Sequence, residues 1–530
     1  MNTREKALGD FTTTWEVIPL SALAVAIGII ASGIAWALLR LIGLFTNLCY
    51  YGRWDFHLVS PAGNHLGVWA VLVPVAGSMI VGLMARFGSD RIRGHGIPEA
   101  IESILNGGSR VEPKLAILKP LSSAISIGSG GPFGAEGPII MTGGAFGSLI
   151  AQFFHLTGAE RKTLLVAGAA AGMSATFNAP ISALMLAVEL LLFEWKPRSV
   201  IPVAFASAAA AIARFYIIGG GALFPVAGHP AFAGVGPLAM CVIAGVLAGG
   251  LSALLTLAVY ASEDGFQHVP IHWMWWPAIG GLVVGIGGLI FPQALGVGYQ
   301  TIGALLQGDV PRKVILGILL VKSVIWAVSL GSGTSGGVLA PLLMMGGALG
   351  GLEAGWFPHA ALGVGFWPMV SLGAILGGTM RSPFTGILFA MELTHDFNIM
   401  LPLLIASFAA HAFTVLTLRR SILTEKISRR GLHLSREYSV DPLETTFVKE
   451  VMQPAVPAAG DESAAAYPDE SLREVVYRMA ASGLTRMPVA DRDTGKQLGT
   501  ISLEDLLQAR SRNLQEECER ERVLSFRGRR

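Results

Sequence analysis

Charge is scarce in this chain: only 14% of its 530 residues are Asp, Glu, Lys or Arg, while 52% are hydrophobic, and mean hydropathy is +0.58. A soluble globular protein of this length is excluded, and the chain belongs in a membrane. A net charge of +2 leaves no footprint for nucleic acid. Cysteine is nearly absent. Cys49, Cys241 and Cys518 are too scattered for a disulfide framework or a metal site; they read as packing residues plus one thiol near the C-terminus, and no metal or required cofactor is expected. The opening residues Met1–Lys6 lack the short apolar core and small-residue cleavage site of a removable signal peptide, so the first span is expected to be retained.

What the chain has in plenty is glycine, 66 residues of it, which suits close helix packing and sharp breaks. Apolar stretches recur from Trp15 to Leu418. Several, such as Pro138–Phe154 and Pro180–Phe193, fall below the roughly 20 residues needed to cross hydrocarbon. They read as half-helices or re-entrant pieces, tolerated at membrane depth only where protein or a wet cavity satisfies the backbone. The chain also repeats itself at an offset of 203 residues: Lys119–Leu149 laid on Lys322–Leu352 gives 14 identities in 31 positions. Gly128-Ser129-Gly130 falls on Gly331-Ser332-Gly333, Pro138 on Pro341, Pro180 on Pro383 and Glu189 on Glu392. Matching Gly/Pro breaks in two halves mark a transporter whose substrate lies between broken helices near the bilayer midplane. The halves cover about 90–195 and 295–395 of a transmembrane domain spanning 1–430.

A helix that begins inside protein at that depth turns unsatisfied N–H groups and its positive dipole end toward whatever faces it, which makes an anion site. Gly94-His95-Gly96-Ile97-Pro98, Gly134-Ala135-Glu136-Gly137-Pro138 and Gly337-Val338-Leu339-Ala340-Pro341 share this build, with proline in the first turn where its missing N–H costs little. Each helix end contributes only about 0.3–1 kcal/mol, up to about 2 when partly buried, so several must act together. Such diffuse binding suits permeation, since a fixed full charge would hold the ion. The halves differ at one telling place: Glu136 stands where the second half has Leu339. A first-turn acid can simply stabilise its own helix, but an ionisable residue at membrane depth is a functional candidate. Here the two readings coincide, because a carboxylate drawn to helix N-termini competes with the permeating anion.

These loops, with Gly168–Gly172 through Phe177-Asn178-Ala179-Pro180, resemble the signature regions of the CLC chloride channels and chloride/proton antiporters, over roughly residues 20–425. The resemblance implies an all-α polytopic fold of inverted repeats, in a homodimer with one anion pore per subunit. It implies Glu136 as gating glutamate and anion contacts from His95, Gly96, Ile97, Gly134, Gly137, Val338 and Leu339. Chloride is the implied substrate, and nitrate or fluoride stay open. This sequence departs from the family pattern at His95, where serine is frequent, at Leu423, in place of the tyrosine that completes the central site, and at Ala135, in place of a basic residue. Antiporters of the family usually carry a second glutamate directly after the position of Glu189, and here it is Leu190. That favours a channel over an exchanger, with Glu194, expected one turn further along the same helix face, as stand-in proton acceptor and Glu189 as a less favoured one.

Beyond Arg430 the chain turns charged and carries short apolar patterns. Arg419, Arg420, Lys426, Arg429 and Arg430 follow the last span and place that end in the cytoplasm, in a bacterial inner membrane. Val448 to Leu507 reads as strand, helix, strand, strand, helix, with an amphipathic helix over Ser471–Ser482 and a closing one over Leu503–Ala509. It resembles a single CBS motif within 445–510, a small α/β domain whose mate would come from a second subunit. Adenine nucleotide at Thr500, Ser502 and Asp505 is implied by the same resemblance, beside a purely structural tail. Residues 511–530 read as a charged tail, disordered beyond a short helix. Two rivals compete with anion transport. An intramembrane serine protease would use Gly333-Thr334-Ser335-Gly336 with His411 as base, and a divalent-cation transporter would need clustered intramembrane carboxylates that are scarce here.

Overall fold

The structure is a computed structural model describing residues 11, 13–105, 108–308, 310–357, 362–431, 441, 443, 446–454, 465–492 and 494–518. The reading of Met1–Lys6 lies outside the described residues. The chain divides into two compact units, Met1–Ser435 and Arg436–Arg530.

The regular elements of the first unit, among its described residues, are all helices. Its first half runs α1 (Val17–Thr46), α2 (Leu72–Phe87), α3 (Ile97–Leu105), α4 (Pro113–Gly128), α5 (Glu136–Gln152), α6 (Gly158–Phe177), α7 (Pro180–Leu186) and α8 (Pro197–Ile217). The second runs α9 (Val235–Gln267), α10 (Trp276–Ile290), α11 (Tyr299–Gln307), α12 (Arg312–Gly317), α13 (Ser323–Gly331), α14 (Leu339–Glu353), α15 (Phe366–Met380), α16 (Pro383–Thr394) and α17 (Met400–Thr417), and α18 (Ile422–Arg429) closes the unit. Among the described residues, seven helical stretches are long and apolar enough to cross a membrane, while Pro180–Leu192, Leu339–Glu353, Phe366–Met380 and Pro383–Thr394 are shorter. Polar signals set the ends. Thr157 caps α6 in a reciprocal box with Glu160, and α6 stops at Asn178, whose φ of 57° is left-handed.

Packing repeats with the sequence. α1 lies on α6 and α8 as α9 lies on α15 and α17, and α5 packs on α6 as α14 packs on α15. The α5–α6 contact needs glycine: a methyl on Gly143 would sit 2.3 Å from the Gly168 carbonyl oxygen, and one on Gly168 would sit 2.1 Å from that of Gly143. Two buried lysines follow the same offset. The Lys119 ammonium donates to the carbonyls of Ile92 and Gly94, both at 2.8 Å, and that of Lys322 to Ala294 and Gly296, both at 2.8 Å. Each ties down the loop that leads into α3 or α11.

The halves are also clasped reciprocally. Glu392 of α16 accepts the amides of Ile181 (2.9 Å) and Ser182 (2.8 Å) at the start of α7. Glu189, in the π-helical turn Ala187–Leu192 that continues α7, accepts the amides of Phe384 (3.3 Å) and Thr385 (2.8 Å) at the start of α16. Each carboxylate caps the other half's helix.

The second unit holds α19 (Val448–Val451), α20 (Leu472–Ser482) and α21 (Leu503–Cys518). They accompany a sheet of β1 (Gln453–Pro454), β2 (Arg486–Ala490) and β3 (Gln497–Ser502) in antiparallel order β1-β3-β2. Val448, Leu472, Val475, Met479, Met487, Val489, Ile501 and Leu506 form its core. Two expectations are corrected. Val448–Val451 is helical, with the strand beginning at Gln453, and the closing helix continues through Cys518, well past Ala509. Of the charged tail, 511–518 continues this helix, and 519–530, where disorder is expected, lies outside the described residues.

Candidate functional site: converging helix starts

The three Gly/Pro loops meet. The Gly94 amide donates to Thr334 O (3.2 Å) and the Gly336 amide to Gly94 O (3.4 Å), while Gly134 and Gly337 exchange hydrogen bonds of 3.1 and 2.8 Å. At Gly137 the approach is so close that a methyl would lie 1.9 Å from the His95 carbonyl oxygen. Backbone hydrogen bonds thus bring the N-termini of α3, α5 and α14 together. α5 and α14 lack side-chain caps, so their first amides are left for another acceptor.

One such acceptor is present. Glu136, the first residue of α5, is wholly buried, and its Oε1 accepts the Ala340 amide of α14 at 3.1 Å. The carboxyl folds back over Gly134, where a methyl would come within 1.8 Å of Oε2. That second oxygen is buried with no hydrogen-bond partner. A carboxyl of the first half therefore sits on the helix start of the second, with Lys322 within electrostatic reach.

The other expected residues divide. His95 is buried, and its Nδ1 has no partner. Ile97 begins α3, Val338 precedes α14 and Leu339 is its first residue, all buried. Gly96 and Gly134 are corrected as amide donors to an anion. The Gly96 N–H is taken by Glu99 Oε2 at 3.0 Å, an internal cap of the α3 start, and the Gly134 N–H is spent on Gly337. Leu423 is buried in the first turn of α18; the nearby Tyr260 hydroxyl, from α9, donates to the Ile422 carbonyl.

Glu194 is not on the Leu190 helix. The helical run ends at Leu192, Phe193 turns left-handed at φ 52°, and Glu194 lies beyond the break. There it meets the Ser199 hydroxyl at 2.7 Å and the cations of Lys162, Lys196 and Arg198 at 3.8–3.9 Å. Glu189 serves as the α16 cap described above. The protease arrangement does not form: Ser335 Oγ is buried among Lys119 (3.1 Å), Ser122 (3.2 Å) and Ser123 (2.8 Å). The Lys119 ammonium is already donating to two carbonyls, so it is no base. In the tail, Asp505 accepts the Ser502 amide and hydroxyl (2.8 and 2.6 Å) and the Gln453 amide group (3.1 Å), and Thr500 pairs with Gln453 and Pro488 in the sheet.

The sequence reading missed Lys119 and Lys322, Glu99 and Tyr299. The lysines had a visible signal, being charged, identical and in register at the head of the repeat.

A profile of the voltage gated chloride channel family matches residues 76–415. The chain belongs to the CLC family. A CBS domain profile matches residues 448–512 of this CLC protein. Among its relatives, the H(+)/Cl(-) exchange transporter ClcA of Citrobacter koseri is 30% identical over 367 residues, covering 67% of this chain and 77% of that one. The protein of the same name from Klebsiella pneumoniae is 30% identical over 362 residues, covering 64% and 76%. In fold it is similar to a slow cyanobacterial Cl-/H+ antiporter (TM-score 0.69, 20% identity, 78% of this chain and 97% of that). It is likewise similar to a CLC-type fluoride/proton antiporter (TM-score 0.66, 17% identity, 76% and 97%). The chain is thus a multi-pass membrane transport protein of the CLC family, for chloride, with an inverted-repeat fold and a small CBS domain.

Proposed function

We propose that this protein exchanges chloride for protons, with Glu136 as the gate. The observation that carries the reading is the Glu136 carboxyl on the Ala340 amide. An anion arriving at the start of α14 must displace it, and a proton on the carboxyl removes its claim on the dipole. The permeating anion then rests on amides at the starts of α14 and α3, around Val338, Leu339 and Ile97, with the His95 imidazole as side-chain donor and Gly137 leaving room for close approach. The names of the relatives tip the balance from the channel expected on the strength of Leu190 to the exchanger. Glu194, partly exposed beyond its helix, is the inner proton acceptor of this reading.

The test is flux from reconstituted vesicles under a pH gradient. An exchanger moves protons against chloride, so its reversal potential shifts with the pH gradient; a potential that ignores the gradient returns the protein to the channels. Glu194→Gln should lower proton flux and leave chloride flux in place.

The protein further acts as a homodimer in a bacterial inner membrane, its tail in the cytoplasm and its single CBS domain paired with that of a second copy. A lone CBS match over 448–512 supports the pairing. Adenine nucleotide at Thr500, Ser502 and Asp505 is the weaker reading, because Asp505 is already held by its own chain. ATP that changes neither the tail's stability nor transport removes it.

A further inference from the structure

The gate needs somewhere to go. When an anion takes the Ala340 amide, the Glu136 carboxyl leaves a dry seat and must find another donor, or carry an unpaired charge through protein at a cost of several kcal/mol. The buried polar atoms that lack any hydrogen bond include Glu136 Oε2 and, near it, the hydroxyl of Tyr299. Tyr299 is the first residue of α11, the helix that matches α3 in the second half. Its loop, Gly296-Val297-Gly298, is the one Lys322 ties down. Glu136 and Arg214 both lie within electrostatic reach of its hydroxyl. The ring stands edge-on to Phe177 and Phe224, with centroids 6.4 and 5.9 Å away, so the hydroxyl is held in place by packing rather than by a polar contact. Above it opens a cleft of about 60 Å³, lined by Thr46, Ser60, Ile127 and Gly296–Thr301, with room for a few water molecules.

We propose that the Tyr299 hydroxyl is the hydrogen-bond donor that receives the displaced Glu136 carboxyl, making Tyr299 a positioning residue of the gate. A phenol suits this role because it is a neutral donor, offering the carboxyl a partner without trapping it. Lys322 faces the same space with its ammonium already donating to two carbonyls, and the Arg214 guanidinium donates to the Gly219 carbonyl. Tyr299 therefore carries an unspent neutral donor in this space, whereas the unspent Nε of Arg214 belongs to a full cation that would hold the carboxylate. The inference rests on Glu136 as gate.

Four proteins in vesicles test it: the natural chain, Tyr299→Phe, Glu136→Ala, and the double variant. Phenylalanine keeps the ring and its packing. Losing one hydrogen bond to the outward carboxyl should slow exchange roughly three- to tenfold with Glu136 present, and should leave chloride flux unchanged with alanine at position 136. Equal slowing in both backgrounds would mean the hydroxyl meets the anion, and no slowing in either would mean it meets nothing; each overturns the proposal. The gate itself is read separately, from whether Glu136→Ala abolishes the pH dependence of flux. If it does not, the underlying gate reading fails, whatever Tyr299→Phe does.

Discussion

Replacing Glu136 with glutamine probes the seat at the start of α14 directly. The carboxylate there accepts one amide at 3.1 Å. A hydrogen bond to a charged group is worth about 1.5–3 kcal/mol, and the helix end adds about 0.3–2 kcal/mol. A glutamine amide oxygen can still accept the Ala340 N–H, but as a neutral bond of about 0.5–1.5 kcal/mol with little dipole attraction. The competitor for the anion is thus weakened by about 1–3 kcal/mol. At 1.4 kcal/mol per factor of ten, chloride occupancy of the seat rises roughly five- to hundredfold. Two measurements follow: chloride affinity of the purified protein by calorimetry, and chloride efflux from vesicles between pH 5 and pH 8 with charge balanced by an ionophore. The natural chain should carry more chloride as pH falls, because protonation neutralises the competitor. The Glu136→Gln protein should bind chloride more tightly and show a flat pH profile. A variant as pH-dependent as the natural chain, with unchanged affinity, would refute the seat as the site of competition.

Gly134→Ala should evict the carboxyl without touching its chemistry. The three atoms nearest the added methyl all belong to the Glu136 side chain, at 1.8–2.3 Å, so vesicle flux should persist with a flattened pH profile; an unaltered profile would count against the fold-back of that side chain over Gly134. Glu392→Gln should lower the detergent melting point, costing about 2 kcal/mol as the Ile181 and Ser182 amides lose their charged cap. Glu189→Gln should cost a similar amount, since it caps α16 in the same way. In the tail, burial works against ionisation of Asp505, but the Ser502 and Gln453 hydrogen bonds prevail and hold its carboxyl below the ordinary value of 3.8. A depressed carboxyl stabilises the fold above that value, and the contribution is lost as pH falls through the folded one. Hydrogen exchange of β3 amides in the whole protein, corrected for intrinsic rates, should therefore lose protection below about pH 4, whereas Asp505→Asn should be less protected above that pH and show no such loss on acidification.

The architecture was legible because membrane solvation leaves few choices: sparse charge demanded spans, and Gly/Pro breaks in register demanded paired half-helices. Glu136 stood out as the one ionisable residue among the differences between matched loops. Legibility failed where local turns or distant partners decide. Glu194 lay within helical reach of Leu190 by spacing, and the left-handed Phe193 broke that continuity. Gly96 and Gly134 had the right residue type, yet their amides were consumed by Glu99 and Gly337, partners that only folding brings near. Tyr299 showed nothing in sequence, because an unpaired hydroxyl is a property of its surroundings. In the tail, the strand expected from Val448 begins only at Gln453, since a short helical turn comes first.

The exchange of carboxylates between α7 and α16 has a consequence for biosynthesis. Ile181 and Ser182 leave the ribosome some 210 residues before Glu392 does. At about 5–20 residues per second, the beginning of α7 spends roughly ten to forty seconds uncovered in or beside the membrane. A nascent half-protein must therefore be sheltered by the insertion machinery, or wait partly unwound, until its sibling arrives to close it.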